Sequence, residues 1–294
     1  MANGDRRVVI LAGGISSRMK LPATDAARRL DPSLLQQAED RSKGMIGVGV
    51  GGRPFLDYLL YNIRQSGIND VLIVIGEHDE VLKSYYGSRD RGNEFHSLQI
   101  SYALQKIPAG RRKPLGTVDA LLQALRVRSD WAEGDFIVCN SDNLYSVKAF
   151  SLLLECEIPN SLIDYDRGGL EFAEQRIAQF GITRKDDGGY LIEIVEKPSL
   201  DQLEALRGKD GSLRVSMNIF RLNYAMILPC LKSCPEHPVR REKELVTAVT
   251  NMVREHPQSL KALPLKEHVP DLTYKDDISS VQQYLETHYG DLSW

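Results

Sequence analysis

The apolar run Arg7-Val8-Val9-Ile10 empties into Leu11-Ala12-Gly13-Gly14-Ile15-Ser16-Ser17-Arg18-Met19, a small-residue loop that ends in a cation. Glycines let a ligand approach the backbone, successive N–H groups of such a loop form a concave anion site, and Arg18 adds a permanently charged fork for phosphate oxygens. This combination points to a phosphate-bearing ligand. The loop is neither the G-x-G-x-x-G dinucleotide fingerprint nor the G-x-x-x-x-G-K-[ST] P-loop. An ordinary strand-to-helix turn would use the same two glycines, so the weight falls on Arg18 and on the segments downstream of it.

A loop of this kind needs a sheet to carry it, and the apolar periodicity supplies one. Pro54 to Ser66 predicts a helix, with Phe55, Leu56, Leu59, Leu60 and Ile63 on one face, Pro54 at its start and Gly67 at its stop. Val71-Leu72-Ile73-Val74-Ile75 predicts a strand buried on both sides. Further strands are expected over Leu98–Leu104 and Phe136–Val138, with helices over Thr117–Arg126 and Ser146–Glu155. This alternation implies an α/β fold, a Rossmann-like mixed, mostly parallel sheet covered by helices on both faces. Ligands of such sheets sit beyond the carboxyl ends of the strands, where the loop at 12–18 and Asp142 both fall. Past Gly168-Gly169 the pattern changes to a hairpin, Gly181–Arg184 and Tyr190–Glu196 about a turn at Asp186–Gly189. Helices are expected near Tyr224–Lys232 and Glu244–Glu255, and a last one, capped by Asp276 or Asp277, aligns Ile278, Val281, Tyr284 and Leu285.

Several ordered segments resemble the nucleotidyltransferase family that makes nucleotide sugars from a nucleoside triphosphate and a sugar 1-phosphate. They are the loop itself, Lys43-Gly44-Met45-Ile46-Gly47-Val48, Gly52-Arg53-Pro54-Phe55-Leu56, Gln105, Pro114-Leu115-Gly116-Thr117-Val118-Asp119-Ala120-Leu121 and Cys139-Asn140-Ser141-Asp142-Asn143. Phe180-Gly181-Ile182, Glu196-Lys197-Pro198, Ser216-Met217-Asn218-Ile219-Phe220 and the stretch opened by Asp271 come next in order. The likeness runs from about residue 7 to 287 and implies one domain over 1–294 with the glycosyltransferase A-like fold of the family. Residues 7–145 would form its nucleotide-binding half and 146–294 its sugar-phosphate half.

The resemblance also implies roles. Leu11, Ala12, Gly13, Gly14, Gln105, Gly116 and Thr117 would contact the nucleotide. Arg18 would neutralise the β- and γ-phosphates and Lys43 the α-phosphate, with Lys20 a rival for that place. Lys197 would hold the phosphate of the sugar substrate, Glu196 and Asn218 would face its hydroxyls, and Gly181 would permit close approach. Asp142 and Asp271 would hold Mg2+, a hard ion that prefers oxygen and takes one or two carboxylates plus phosphates. Read without the family, Asp142 is a helix cap, Asp271 a turn residue after Pro270, and Lys43 a solvated lysine.

The chain departs from the family pattern in places. Ser16 and Asn218 stand at common glycine positions, Thr273 fills another after Asp271, and Lys20 to Ser42 is longer than the family loop, with room for an extra helix over Ser33–Asp40. Ser16-Ser17-Arg18-Met19 also resembles the loop of molybdopterin and other non-sugar nucleotidyltransferases, and choline phosphate is a further acceptor class. A non-catalytic nucleotide-sugar-binding regulatory subunit is a third reading, because a fold does not fix a function.

Composition narrows the classes. A net charge of −3 gives no footprint for nucleic acid, and Arg111-Arg112-Lys113 is too short to track a polyanion. Its place between Gln105 and Gly116 would hang it over the triphosphate instead. No stretch approaches the roughly 20 apolar residues of a membrane span and no leader pattern opens the chain, so a cytoplasmic protein is expected. Four cysteines give no disulfide framework, and Cys230, Cys234 and His237 lack the second ligand pair that zinc wants. The expected partners are an NTP and a sugar 1-phosphate, compatible with a homo-oligomer.

Overall fold

Val8 and Ile10 of the first strand, β1 (Arg7–Leu11), belong to one hydrophobic core, and Val9 and Leu11 belong to another on the opposite side. A strand with a core on each face has no side to give to polar residues, which is why this run is apolar from Val8 to Leu11. The computed structural model describes residues 6–294 apart from 26, 78, 178, 179, 197, 199, 209, 210 and 291.

Along the chain, β1 is followed by α1 (Pro32–Asp40), α2 (Phe55–Gln65), β2 (Asp70–Ile75), α3 (Glu80–Tyr86), β3 (Asn93–Phe95) and β4 (Leu98–Leu104). Next come α4 (Thr117–Val127), β5 (Asp135–Asn140), α5 (Val147–Glu155), β6 (Asn160–Asp166), α6 (Glu174–Ile177), β7 (Gly181–Lys185) and β8 (Leu191–Val195). The chain closes with α7 (Leu200–Ala205), β9 (Arg214–Asn223), α8 (Tyr224–Ser233), α9 (Leu245–Glu255), β10 (Leu260–Leu265) and α10 (Asp277–Tyr289). One ten-stranded mixed sheet runs β10-β6-β9-β5-β1-β2-β4-β3, with the β7–β8 hairpin attached through β9. Helices α1, α2, α3, α5 and α10 bury side chains against one face and α4, α8 and α9 against the other.

In the half of the sheet that carries the loop at 12–18, β5, β1, β2 and β4 are all mutually parallel, as the βα alternation predicts. The other half departs from a run of parallel crossovers. Strand β9 lies antiparallel between β5 and β6, opposing Val138 and Leu162 through Phe220. Its alternation is broken by the left-handed Asn218 (φ 59°), and a register shift lies opposite between Leu162 and Asp164. Strand β6 carries three buried polar residues, Asn160, Ser161 and Asp164. Asp164 is held there by Thr183 and Lys185, and Asn160 accepts from Asn223 N at 2.8 Å. Strand β10 tolerates Pro264 because it is the sheet edge.

Phe220 is fully buried at the junction of the three strands. Phe220→Ala is expected to cost about 3–5 kcal/mol of stability in urea unfolding, since a buried aromatic is lost with little room for collapse. A cost under about 1 kcal/mol would show that this junction is not tightly packed.

Candidate functional site

The loop after β1 is fastened on both sides before it reaches any ligand. Ala12 N donates to Val74 O at 2.9 Å, and Ser141 N donates to Leu11 O at 3.2 Å. Parallel neighbours β2 and β5 thus fix its base, and its remaining residues wall a cleft of about 400 Å³ at the carboxyl ends of the strands. Leu11, Ala12, Gly13, Gly14, Arg18, Lys43, Gln105, Gly116, Thr117, Asp142, Glu196 and Asn218 all line that one cleft.

Gly13 is required by close packing, because a Cβ there would lie 2.9 Å from Gln105 Oε1. Gln105 is itself held: its Nε2 donates to Gly116 O at 2.9 Å and to Asp119 Oδ2 at 3.0 Å. Both partners are pure acceptors, so the amide orientation is set and Oε1 is the end turned toward Gly13. Gly116 has φ 99° and would meet Lys243 O at 2.6 Å if it carried a Cβ. Thr117 Oγ1 accepts from Leu245 N at 2.8 Å, joining the first turns of α4 and α9 over the cleft.

Of the three residues that stand at common glycine positions, Thr273 keeps an ordinary backbone, whereas the other two fall at left-handed backbone. Ser16 has φ 55° and Asn218 has φ 59°, so the glycine geometry is kept although the glycines are not. Between Arg18 and Lys43, helix α1 buries Leu34 and Ala38, and the insertion is bolted to the segment after Asp271. Thr24 bonds Asp276, and the buried Lys275 bonds Glu39 and donates to Leu21 O at 2.6 Å. Arg18 is exposed, 5.9 Å from the Tyr274 ring centre. Lys20 is exposed and away from the cleft lining, which leaves Lys43 as the cation at the cleft floor.

Lys43 Nζ is 2.8 Å from Asp142 Oδ2. Asp142 does not cap the following helix; Ser146 does, accepting from Ala149 N. Instead, the segment after β5 pairs with the segment around Asp271. Leu144 N donates to Pro270 O at 2.9 Å, Leu272 N donates to Asp142 O at 2.8 Å, and Asn143 and Asp271 form a bridge. The two aspartates, far apart in sequence, therefore sit on adjacent antiparallel backbones. Burial, and next the negative charge of Asp142, push the carboxyl of Asp271 above the usual aspartate range. Thr273 Oγ1 donates to Asp271 Oδ1 at 2.5 Å, and Arg176 lies 3.2 Å from Oδ2. Asp271 does not line the large cleft; it borders a second cavity of about 280 Å³ with Phe172, His268, Tyr284 and His288. Two carboxylates on adjacent backbones are hard oxygen donors, which fit a magnesium ion better than a soft metal. Among the described residues no group of three or more His, Cys, Asp or Glu side chains gathers to hold a metal, so the remaining ligands would come from phosphate and water.

Glu196 is paired with Arg240 at 3.3 Å, and Arg240 also bonds Glu244. Burial and the charge of Glu196 push the carboxyl of Glu244 up. Gly181 does not line the cleft; it pairs in register with Ser216, and a Cβ would meet Ile194 Cγ2 at 2.6 Å, so its small size serves packing. Lys197 lies outside the described residues. The basic run is not free over the cleft, because Lys113 pairs with Glu242 at 2.5 Å and Arg111 with Glu236 at 3.6 Å. Lys113, the end of that run, does line the cleft; Arg240, Glu242 and Glu244 are cleft residues that sequence reasoning missed, and the charge density of Arg240-Arg241-Glu242-Lys243-Glu244 is the signal that was there.

The fold and this cleft define a nucleotidyltransferase framework. The sequence model of the nucleotidyl transferase family matches residues 34–293, and the chain belongs to that family. A UTP–glucose-1-phosphate uridylyltransferase of Haloferax volcanii is 22% identical over 285 residues, 95% of this chain and 96% of that one. A D-glycero-α-D-manno-heptose 1-phosphate guanylyltransferase of Aneurinibacillus thermoaerophilus is 24% identical over 139 residues; the aligned part spans 47% of each chain, about half the relative's length. A UTP-bound UGPase of Acinetobacter baumannii has the same fold, with a TM-score of 0.69 at 18% identity over 97% of this chain and 95% of that one. No helix among the described residues is long and apolar enough to cross a membrane.

Proposed function

We propose that this protein transfers a nucleotidyl group from an NTP to a sugar 1-phosphate, releasing pyrophosphate, with Mg2+ as the metal. The observation that carries the reading is the bridge between the Asp142 and Asp271 segments beside a glycine-lined cleft, with Lys43 on Asp142. The reaction brings two anions together for in-line attack of a phosphate oxygen on the α-phosphorus, so the protein's task is positioning and charge neutralisation. No nucleophilic side chain is needed, because the acceptor phosphate is already ionised. The loop N–H groups and Arg18 take the β- and γ-phosphates, Lys43 stands by the α-phosphorus, and Gln105 meets the base. Glu196, Asn218 and Arg240 form the acceptor end, with Lys197 assigned to the acceptor phosphate by its family motif. Bound to Asp142 and Asp271, Mg2+ would offset the charge developing on the phosphates.

The relatives' names and the sugar-side residues in the cleft favour a sugar 1-phosphate acceptor over molybdopterin or choline phosphate. A panel of four NTPs crossed with common sugar 1-phosphates, read by pyrophosphate release, is expected to give Mg2+-dependent turnover for at least one pair. Nucleotide-sugar binding without turnover across the panel would establish a sensor instead.

A further inference from the structure

Both carboxylates assigned to the metal already carry a protein cation: Lys43 lies on Asp142 at 2.8 Å and Arg176 on Asp271 at 3.2 Å. Arg176 reaches from α6, in the segment before β7, and its Nη2 also donates to Asp271 O at 3.4 Å. The same guanidinium is forked onto Asp277, with Nη2 to Oδ2 at 3.1 Å and Nη1 to Oδ1, and it lies 4.6 Å from the Phe172 ring centre. Asp277 is itself fixed, accepting from Thr273 N at 2.8 Å and Tyr274 N at 2.6 Å.

We propose that Arg176 is the resident counter-cation of Asp271, which a divalent ion must displace, with Asp277 retaining the guanidinium as it lets go. This rests on Asp142 and Asp271 being the metal pair. A buried carboxylate with Asp142 as a neighbour is costly to leave unpaired, so some cation must cover Asp271 when no metal does. The guanidinium and a metal ion cannot both occupy the Oδ2 side of that group. Asp277 supplies a second acceptor close by, so release from Asp271 does not strand Arg176 without a partner. Metal binding without nucleotide is then opposed by the arginine. Nucleotide phosphates tip the exchange by adding ligands to the ion.

The test is a Mn2+ titration, with free Mn2+ read by electron paramagnetic resonance, of the wild-type protein, Arg176→Gln, Arg176→Lys and Asp271→Asn, with and without NTP. Without NTP, Arg176→Gln is expected to bind Mn2+ about tenfold more tightly than wild type, the size of one favourable ion pairing removed from competition. Arg176→Lys, a point charge that cannot fork onto both carboxylates, should tighten it about two- to threefold. The melting temperature of Arg176→Gln should fall without metal and rise with Mn2+ by more than that of wild type. Unchanged or weaker Mn2+ affinity in both Arg176 variants, with Asp271→Asn still abolishing binding, would overturn the exchange while sparing the metal pair. Binding that Asp271→Asn leaves intact would overturn the metal pair as well.

Discussion

Asp142→Asn is expected to lower kcat/KM for nucleotidyl transfer by about 10³-fold or more, roughly 4 kcal/mol of transition-state stabilisation, with the fold unchanged by circular dichroism. The asparagine is isosteric, so the backbone pairing of Leu144 with Pro270 and of Leu272 with residue 142 survives. What is lost is one of the two carboxylates proposed to hold Mg2+ and the partner of Lys43 Nζ at 2.8 Å. A side chain that merely capped a helix would cost about 1 kcal/mol of stability and little rate. Steady-state kinetics with Mg2+ in excess decide between these outcomes, and activity within about tenfold of wild type would remove Asp142 from the machinery.

Lys43→Met should be nearly as severe, at about 10²- to 10³-fold, and should fall mainly on kcat. Only 12% of the Lys43 side chain is exposed, so its charge acts in a partly desolvated place at the meeting of cleft floor and Asp142. Methionine keeps the stem packed and deletes the charge. The variant also leaves Asp142 and Asp271 with less positive charge nearby, so unliganded protein should gain Mn2+ affinity while losing rate. A change in KM alone, with kcat intact, would assign Lys43 to ground-state binding rather than to charge that develops during transfer.

How much of the molecule is legible in the sequence depends on the physics of each part. Strands β1, β2, β4 and β5 are buried on both faces, helices α4, α5, α9 and α10 bury one stripe and α2 is buried nearly all round, so their apolar patterns speak directly. Strand β9 hides its period behind a left-handed Asn218, β6 behind three buried polar residues, and β10 behind an edge proline, because their stability comes from partners distant in sequence. The cleft residues of the loop, Gln105 and Asp142 are readable because motif and strand end coincide. Arg240 is not, since an arginine in a charged loop looks like surface until Glu196 is placed beside it. Gly181 misleads for the opposite reason: glycine marks close approach, and the sequence does not say that the approaching group is Ile194. The insertion at 20–42 shows its helix in its periodicity, whereas its attachment to Lys275 and Asp276 emerges only in three dimensions.

The most direct test is anomalous diffraction from crystals grown with Mn2+ and a non-hydrolysable NTP analogue. The expected map shows a Mn2+ peak in coordination contact with a carboxylate oxygen of both Asp142 and Asp271 and with a phosphate oxygen above the loop at 12–18. A nucleotide seated in the cleft whose only metal peak touches neither aspartate would contradict the shared site.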